Sequence, residues 1–131
     1  MQDTKFSVQV NVPVEDLFRY AVSPWNAHLW MEGVAAEECS PWPPQAGVSH
    51  YRTKDVGGVW ASYLLTAWEQ DKLFELTKTD GSLVLRYTFS DLGGGVSQID
   101  YEGRVKEGDA ALPFTQESLD KLKRVLETKP L

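Results

Sequence analysis

The chain has 131 residues, 42% of them hydrophobic and 11% aromatic, and a formal net charge of -6 from 19 acidic and 13 basic side chains. That length suits one domain over residues 1–131 with a core of its own, and the acidic surplus repels a phosphate backbone, which argues against a nucleic-acid partner. A single Cys39 and two histidines, His28 and His50, make neither an internal disulfide nor a zinc-binding spacing, so no metal and no cofactor is expected. No apolar run reaches the ~18 residues of a membrane span. Met1-Gln2-Asp3-Thr4-Lys5 lacks a secretion-signal pattern, and the expectation is a soluble protein of the cytoplasm.

Alternation opens the chain: Phe6, Val8, Val10 and Val12 are separated by Ser7, Gln9 and Asn11, which predicts a strand with one wet face, stopped by Pro13. Proline is tolerated in a first helical turn, and Glu15 and Asp16 suit the positive end of a helix dipole. Residues 14–21 therefore read as a short helix burying Leu17, Phe18 and Ala21. Ser23-Pro24 starts a second short helix that ends at Leu29 and Trp30 before Gly33. Strands are then predicted at 34–39, 48–54, 59–68, 73–78, 82–91 and 96–106. Pro41-Trp42-Pro43-Pro44, Gly57-Gly58, the polar run 69–72, Asp80-Gly81 and Gly93-Gly94-Gly95 separate them. Asp80-Gly81 is the strongest turn signal, a two-residue hairpin connection at which positive φ is tolerated. Successive short turns imply an antiparallel meander.

Residues 82–105 are the most telling part of that meander. Leu83, Leu85, Tyr87 and Phe89 alternate with Val84, Arg86, Thr88 and Ser90, and Ile99, Tyr101, Gly103 and Val105 alternate with Gln98, Asp100, Glu102 and Arg104. This predicts a half-buried hairpin whose inner face offers apolar surface and phenol hydroxyls but no carboxylate or imidazole. Residues 115–127 close the chain as a helix with Leu119, Leu122, Val125 and Leu126 on one side. At ~20 Å it can cross several strands.

The order of strand, two short helices, six-stranded meander and C-terminal helix resembles the START-like superfamily, the helix-grip fold of polyketide cyclases and dehydrases, lipid-transfer domains and plant pollen-allergen proteins. The residues that carry the likeness are Val8 to Phe18 across Pro13, Ser23-Pro24-Trp25 to Trp30, Leu85-Arg86-Tyr87-Thr88-Phe89 through Gly94-Gly95-Val96, and Leu119-Asp120-Lys121-Leu122-Lys123. The resemblance covers nearly the whole chain. It implies an α+β fold in which a curved, seven-stranded antiparallel sheet wraps around the C-terminal helix, with two short helices between strands 1 and 2. It also implies a cavity between sheet and helix that accepts lipids, polyketides, sterols or aromatic hormones. The final helix is shorter than the family often has, which implies a smaller or more open cavity, and Trp42-Pro43-Pro44 belongs to no part of the pattern.

Residues expected to bind a ligand there are Tyr63, Tyr87, Phe89, Ile99 and Tyr101 from the sheet, Trp30 from the second short helix, and Phe114, Ser118, Leu119 and Leu122 from the closing helix and its approach. Ordinary packing of sheet against helix accounts for the same residues; the phenols and Ser118 add polar groups that a ligand can engage. Asp100, Glu102 and Arg104 share the face opposite Tyr101, which assigns them to solvent. His50 and Arg52 remain as residual catalytic candidates, with His50 able to point inward beside Tyr63 because the parity of the third strand is open. Trp60 and Trp68 share a face of the fourth strand; with Tyr63 and Leu65 inward they form an outer patch suited to a homodimer or partner contact. No phosphate-binding glycine loop, nucleophile elbow or paired-cysteine motif is present. The expected function is binding or transport of an apolar small molecule. The alternatives are a polyketide cyclase or dehydrase-type enzyme drawing on Tyr63, Tyr87, Tyr101 or His50, and an interaction module related to heat-shock-protein ATPase activators.

Overall fold

The computed structural model describes residues 2–105 and 115–128. After β1 (Gln2–Val10) the chain passes Pro13 into α1 (Val14–Val22), a 3-10 turn (Pro24–Asn26) and the one-turn α2 (Ala27–Trp30). Then come β2 (Val34–Ser40), β3 (His50–Asp55), β4 (Trp60–Glu69), β5 (Leu73–Lys78), β6 (Leu83–Gly93), β7 (Val96–Val105) and α3 (Gln116–Thr128). The strands form one seven-stranded antiparallel sheet in the order β1-β7-β6-β5-β4-β3-β2. The first strand thus closes on the last, and the sheet curves around α3 in the helix-grip arrangement. Among the described residues no helix is long and apolar enough to cross a membrane.

β1 begins earlier than the alternation 6–12 predicts, because its pairing with β7 extends from Val10 opposite Ser97 to Gln2 opposite Val105. Past its end, the Asn11 N–H donates to the Glu127 carboxylate at 2.8 Å and the Ser97 hydroxyl donates to the Val12 carbonyl at 2.8 Å. β3 starts at His50 rather than Val48. Ser49 is fully buried in the preceding turn, accepting from the Gln45 N–H and donating to the Pro41 carbonyl, both at 2.8 Å.

Two turns differ from expectation in an instructive way. Asp80-Gly81 does join β5 to β6, but through a wider loop: Gly81 donates to the Lys78 carbonyl at 2.8 Å and it alone takes positive φ, at 78°. That is the geometry of a longer hairpin loop ending in a left-handed residue. The two-residue turn with both members at positive φ lies instead at Gly94-Gly95, between Gly93 and its partner Val96.

Inward residues of neighbouring strands stand opposite one another: Phe74 beside Tyr87, Tyr87 beside Tyr101, Tyr101 beside Phe6. Their rings meet in series, Tyr51 to Phe74 at 5.1 Å, Phe74 to Tyr87 at 5.6 Å, Tyr87 to Tyr101 at 5.4 Å and Tyr101 to Phe6 at 5.9 Å. Such contacts contribute ~0.5–1.5 kcal/mol each beyond the area they bury. Phe18 of α1 wedges against Phe89 at 4.9 Å and Trp68 at 5.0 Å, filling that part of the interior.

α3 packs against β1 and α2, with Leu119 and Leu122 fully buried. Its polar side chains reach the exposed edge of β1: Gln116 donates to the Ser7 carbonyl at 3.1 Å and Lys123 to the Gln9 carbonyl at 2.9 Å. An edge strand offers such unpaired carbonyls. These bonds hold the helix over the β1 side of the sheet.

Candidate functional site

With α3 drawn toward β1, a partly open cavity of about 510 Å³ stands against the inner faces of β2–β7, bordered also by Ala21 of α1 and the link from Met31 to Val34. Tyr63, Phe74, Leu76, Leu85, Tyr87 and Tyr101 supply its apolar and aromatic wall. The volume falls within the ~300–1,000 Å³ typical of small-molecule sites.

Into this wall the second strand inserts a carboxyl group. A register irregularity between Val34 and Ala36 places Val34 opposite Asp55 and Glu37 opposite Thr53, so two residues three apart face the same side. Thr53 stands opposite Ala61, while Cys39 and Tyr51 continue the row toward Tyr63. Glu37, Thr53, Ala61 and Tyr63 therefore line the cavity together. Burial pushes the Glu37 carboxyl from its ordinary value near 4.5 up to about 8, and no hydrogen bond or ion pair among the described residues opposes that shift. At neutral pH it is mostly the uncharged acid, able both to donate and to accept.

The neighbouring groups are also held protonated. Burial raises the Tyr63 phenol, with the Thr53 side chain pulling the other way and the Glu37 charge adding to the rise. Tyr87 and Tyr101 are raised mainly by burial, then by nearby phenols and, for Tyr87, by Glu37. Tyr51 is raised for the same leading reason, and its hydroxyl donates to the Val22 carbonyl at 2.9 Å, tying β3 to the end of α1. Burial lifts the Cys39 thiol as well, which keeps it from being a thiolate nucleophile. The result is a largely apolar chamber with donor groups and one half-buried acid whose carboxyl is held protonated. Among the described residues no three His, Cys, Asp or Glu side chains gather as metal ligands.

Of the residues named from the sequence, Tyr63, Tyr87 and Tyr101 line the cavity. Trp30, Phe89, Ile99, Leu119 and Leu122 are buried core and lie outside its lining. The reason is the displacement of α3 toward β1 and the filling of the interior by Phe18. Ser118 is fully buried too, and its hydroxyl accepts from the Glu32 N–H at 3.0 Å, so it anchors the link before β2 rather than reaching the cavity. Phe114 lies outside the described residues.

His50 faces outward and is exposed, since Tyr51 is the inward residue of that register. Arg52 is likewise outside, paired to Glu38 at 2.6 Å and lying 4.6 Å over the Trp60 ring. Trp60 and Trp68 do not share a face: an irregularity between Leu65 and Ala67 reverses the parity of β4, leaving Trp60 41% exposed while Trp68 packs inside against Phe74 at 5.9 Å. Trp25 is exposed and meets Trp42 edge to face at 5.0 Å. Asp100, Glu102 and Arg104 occupy the outer face, with Glu102 pairing to both Lys5 and Arg104 at 3.4 Å. Sequence reasoning missed Glu37. The signal was the adjacent pair Glu37-Glu38 inside a predicted strand, where neighbours point to opposite faces and one carboxyl has to face in.

The fold recurs in solved structures of low sequence identity. The protein XoxI from Bacillus cereus superposes with a TM-score of 0.78 at 8% identity, over 98% of this chain and 97% of that one. Protein MLL2253 from Mesorhizobium loti gives 0.75 at 17% identity, over 99% and 100%. The di-domain ARO/CYC BexL from the BE-7585A biosynthetic pathway gives 0.73 at 10% identity, over 99% of this chain and 48% of that one. No curated protein matches the sequence. The model of one protein family does, along residues 1–127, and with the helix-grip sheet and its cavity this shows that the chain belongs to the polyketide cyclase / dehydrase and lipid transport family.

Proposed function

We propose that this protein binds and carries a small, largely apolar molecule in the cavity beneath β2–β7. The observation that supports this most is the cavity itself, about 510 Å³ walled by Tyr63, Phe74, Leu76, Leu85, Tyr87 and Tyr101. An apolar ligand gains ~25 cal/mol for each Å² it removes from water there, and the half-buried Glu37 gives it one polar point of orientation. The setting would be the cytoplasm, without a nucleic-acid partner, in keeping with the net charge of -6. The experiment is native mass spectrometry of the purified protein with titration of tryptophan fluorescence by lipids, polyketides and aromatics. Trp30 touches Tyr87 edge to face at 6.5 Å and Trp68 touches Phe74, so two indoles sit one ring away from the lining. Saturable quenching or a retained small molecule is expected; neither, across the panel, would end the reading.

A second reading has an observation of its own. A carboxyl held uncharged at neutral pH is equipped to be a general acid, so Glu37 favours a cyclase or dehydrase in which it protonates a departing hydroxyl or a ligand carbonyl. Turnover lost in Glu37→Gln with binding retained would favour the enzyme. The interaction-module reading loses its support, since it depended on Trp60 and Trp68 forming one outer patch.

A further inference from the structure

Resting on the reading that the cavity takes a small apolar molecule, we propose that the molecule carries a basic nitrogen, received as an ammonium group by Glu37 and by the surrounding ring faces. Three observations point this way. Glu37 lines the cavity with its carboxyl unmatched by any hydrogen bond or ion pair among the described residues. A desolvated, unpaired carboxyl is a cost to the fold that a cation removes.

Second, the charged lining is lopsided. Glu32, Asp55 and Asp80 join Glu37 there, against Lys78 alone. The Asp55 carboxylate is fixed by the N–H groups of Gly57 and Val59, both at 2.9 Å, and Asp80 is held below the usual carboxylate range by the Ser82 hydroxyl and N–H. Acidic groups so placed favour entry of a cation and oppose a fatty-acid carboxylate or a phosphate. Third, Tyr63, Phe74, Tyr87 and Tyr101 present aromatic surface, and a ring face attracts an ammonium most where water is excluded.

The proton balance is simple. A protonated amine meeting the uncharged acid leaves an ammonium–carboxylate pair and returns one proton to solvent. Groups facing Glu37 from its neighbours are Cys39 on its own strand, Tyr51 and Asp55 from β3, Tyr63 from β4, Lys78 from β5 and Tyr87 from β6. Tyr101 and the exposed Glu32 and Asp80 complete the set. The thiol and phenols are all raised and stay protonated near neutrality. The pair needs Glu37 ionised, so amine affinity rises with pH by about tenfold per unit below the carboxyl's value and levels above it; that value is about 8.

The test is calorimetric titration of the protein at neutral pH with three probes of one skeleton: naphthylmethylamine, naphthalenemethanol and naphthoate. The expected result is that the amine binds at least about tenfold more tightly than the alcohol, with naphthoate weakest. Amine binding should release close to one proton, read from the dependence of the heat on buffer ionisation. Glu37→Gln should erase both the preference and the proton release, leaving the amine no tighter than the alcohol on the same variant. Alcohol or naphthoate binding as tightly as the amine, or amine binding without proton release, overturns the basic-nitrogen proposal and leaves the apolar cavity standing. Failure of all three probes to bind overturns both.

Discussion

Glu37→Gln keeps the length of the side chain and its uncharged hydrogen-bonding form while removing its ability to ionise. In the unfolded chain Glu37 ionises near 4.5, in the folded protein at about 8. Below 4.5 both states hold the proton and the residue gives stability no pH dependence; between 4.5 and about 8 the unfolded chain alone releases it, so stability falls as pH rises; above that the penalty is constant. At ~1.4 kcal/mol per tenfold in proton affinity the whole span reaches ~5 kcal/mol. Water admitted through the cavity hydrates the carboxylate and lowers this, to an expected ~2–3 kcal/mol. Urea denaturation of wild type and variant at about pH 4 and about pH 9 reads the difference, and every group common to both proteins cancels. Equal stability at the lower pH and a variant more stable by ~2 kcal/mol or more at the higher, roughly 6–10 °C in midpoint, is the expected result. A gap that stays the same at both pH values would refute the placement of Glu37 where burial raises its carboxyl.

Other perturbations separate the cavity from the core around it. Ser118→Ala removes the acceptor of the Glu32 N–H and should cost ~1–2 kcal/mol, with faster amide exchange at Glu32 as its local signature. Phe18→Ala empties the wedge between Phe89 and Trp68; a loss of ~3–5 kcal/mol is expected, with probe binding per folded molecule preserved because Phe18 does not line the cavity. Ala61→Trp projects an indole from β4 into the hollow beside Tyr63 and should abolish naphthalenemethanol binding, measured by calorimetry, while the far-ultraviolet circular dichroism stays that of the wild type.

The β6–β7 hairpin was legible because its alternation runs unbroken from Leu83 to Asp91 and from Ser97 to Val105, the irregularity coming only beside the glycine turn. Tyr87 and Tyr101 therefore fell on the inner face from pattern alone. Parity failed where a strand slips. The irregularity before Ala67 carries Trp68 inside and leaves Trp60 out, and the one before Ala36 brings Glu37 to the cavity. A bulge depends on how two strands meet, and neither sequence by itself announces it. The position of α3 was hidden for a similar reason. Its leucine face is evident in the sequence, but Gln116 and Lys123 seat it on β1 by reaching carbonyls more than a hundred residues away. Leu119 and Leu122 consequently became core instead of cavity wall.

The hollow itself is open to direct inspection by soaking crystals of the protein with naphthalenemethanol and locating the probe. Probe density is expected among Tyr63, Leu85, Tyr87 and Tyr101, with the hydroxyl turned toward Glu37. Side chains closed across that space, with no room for the probe, would contradict it.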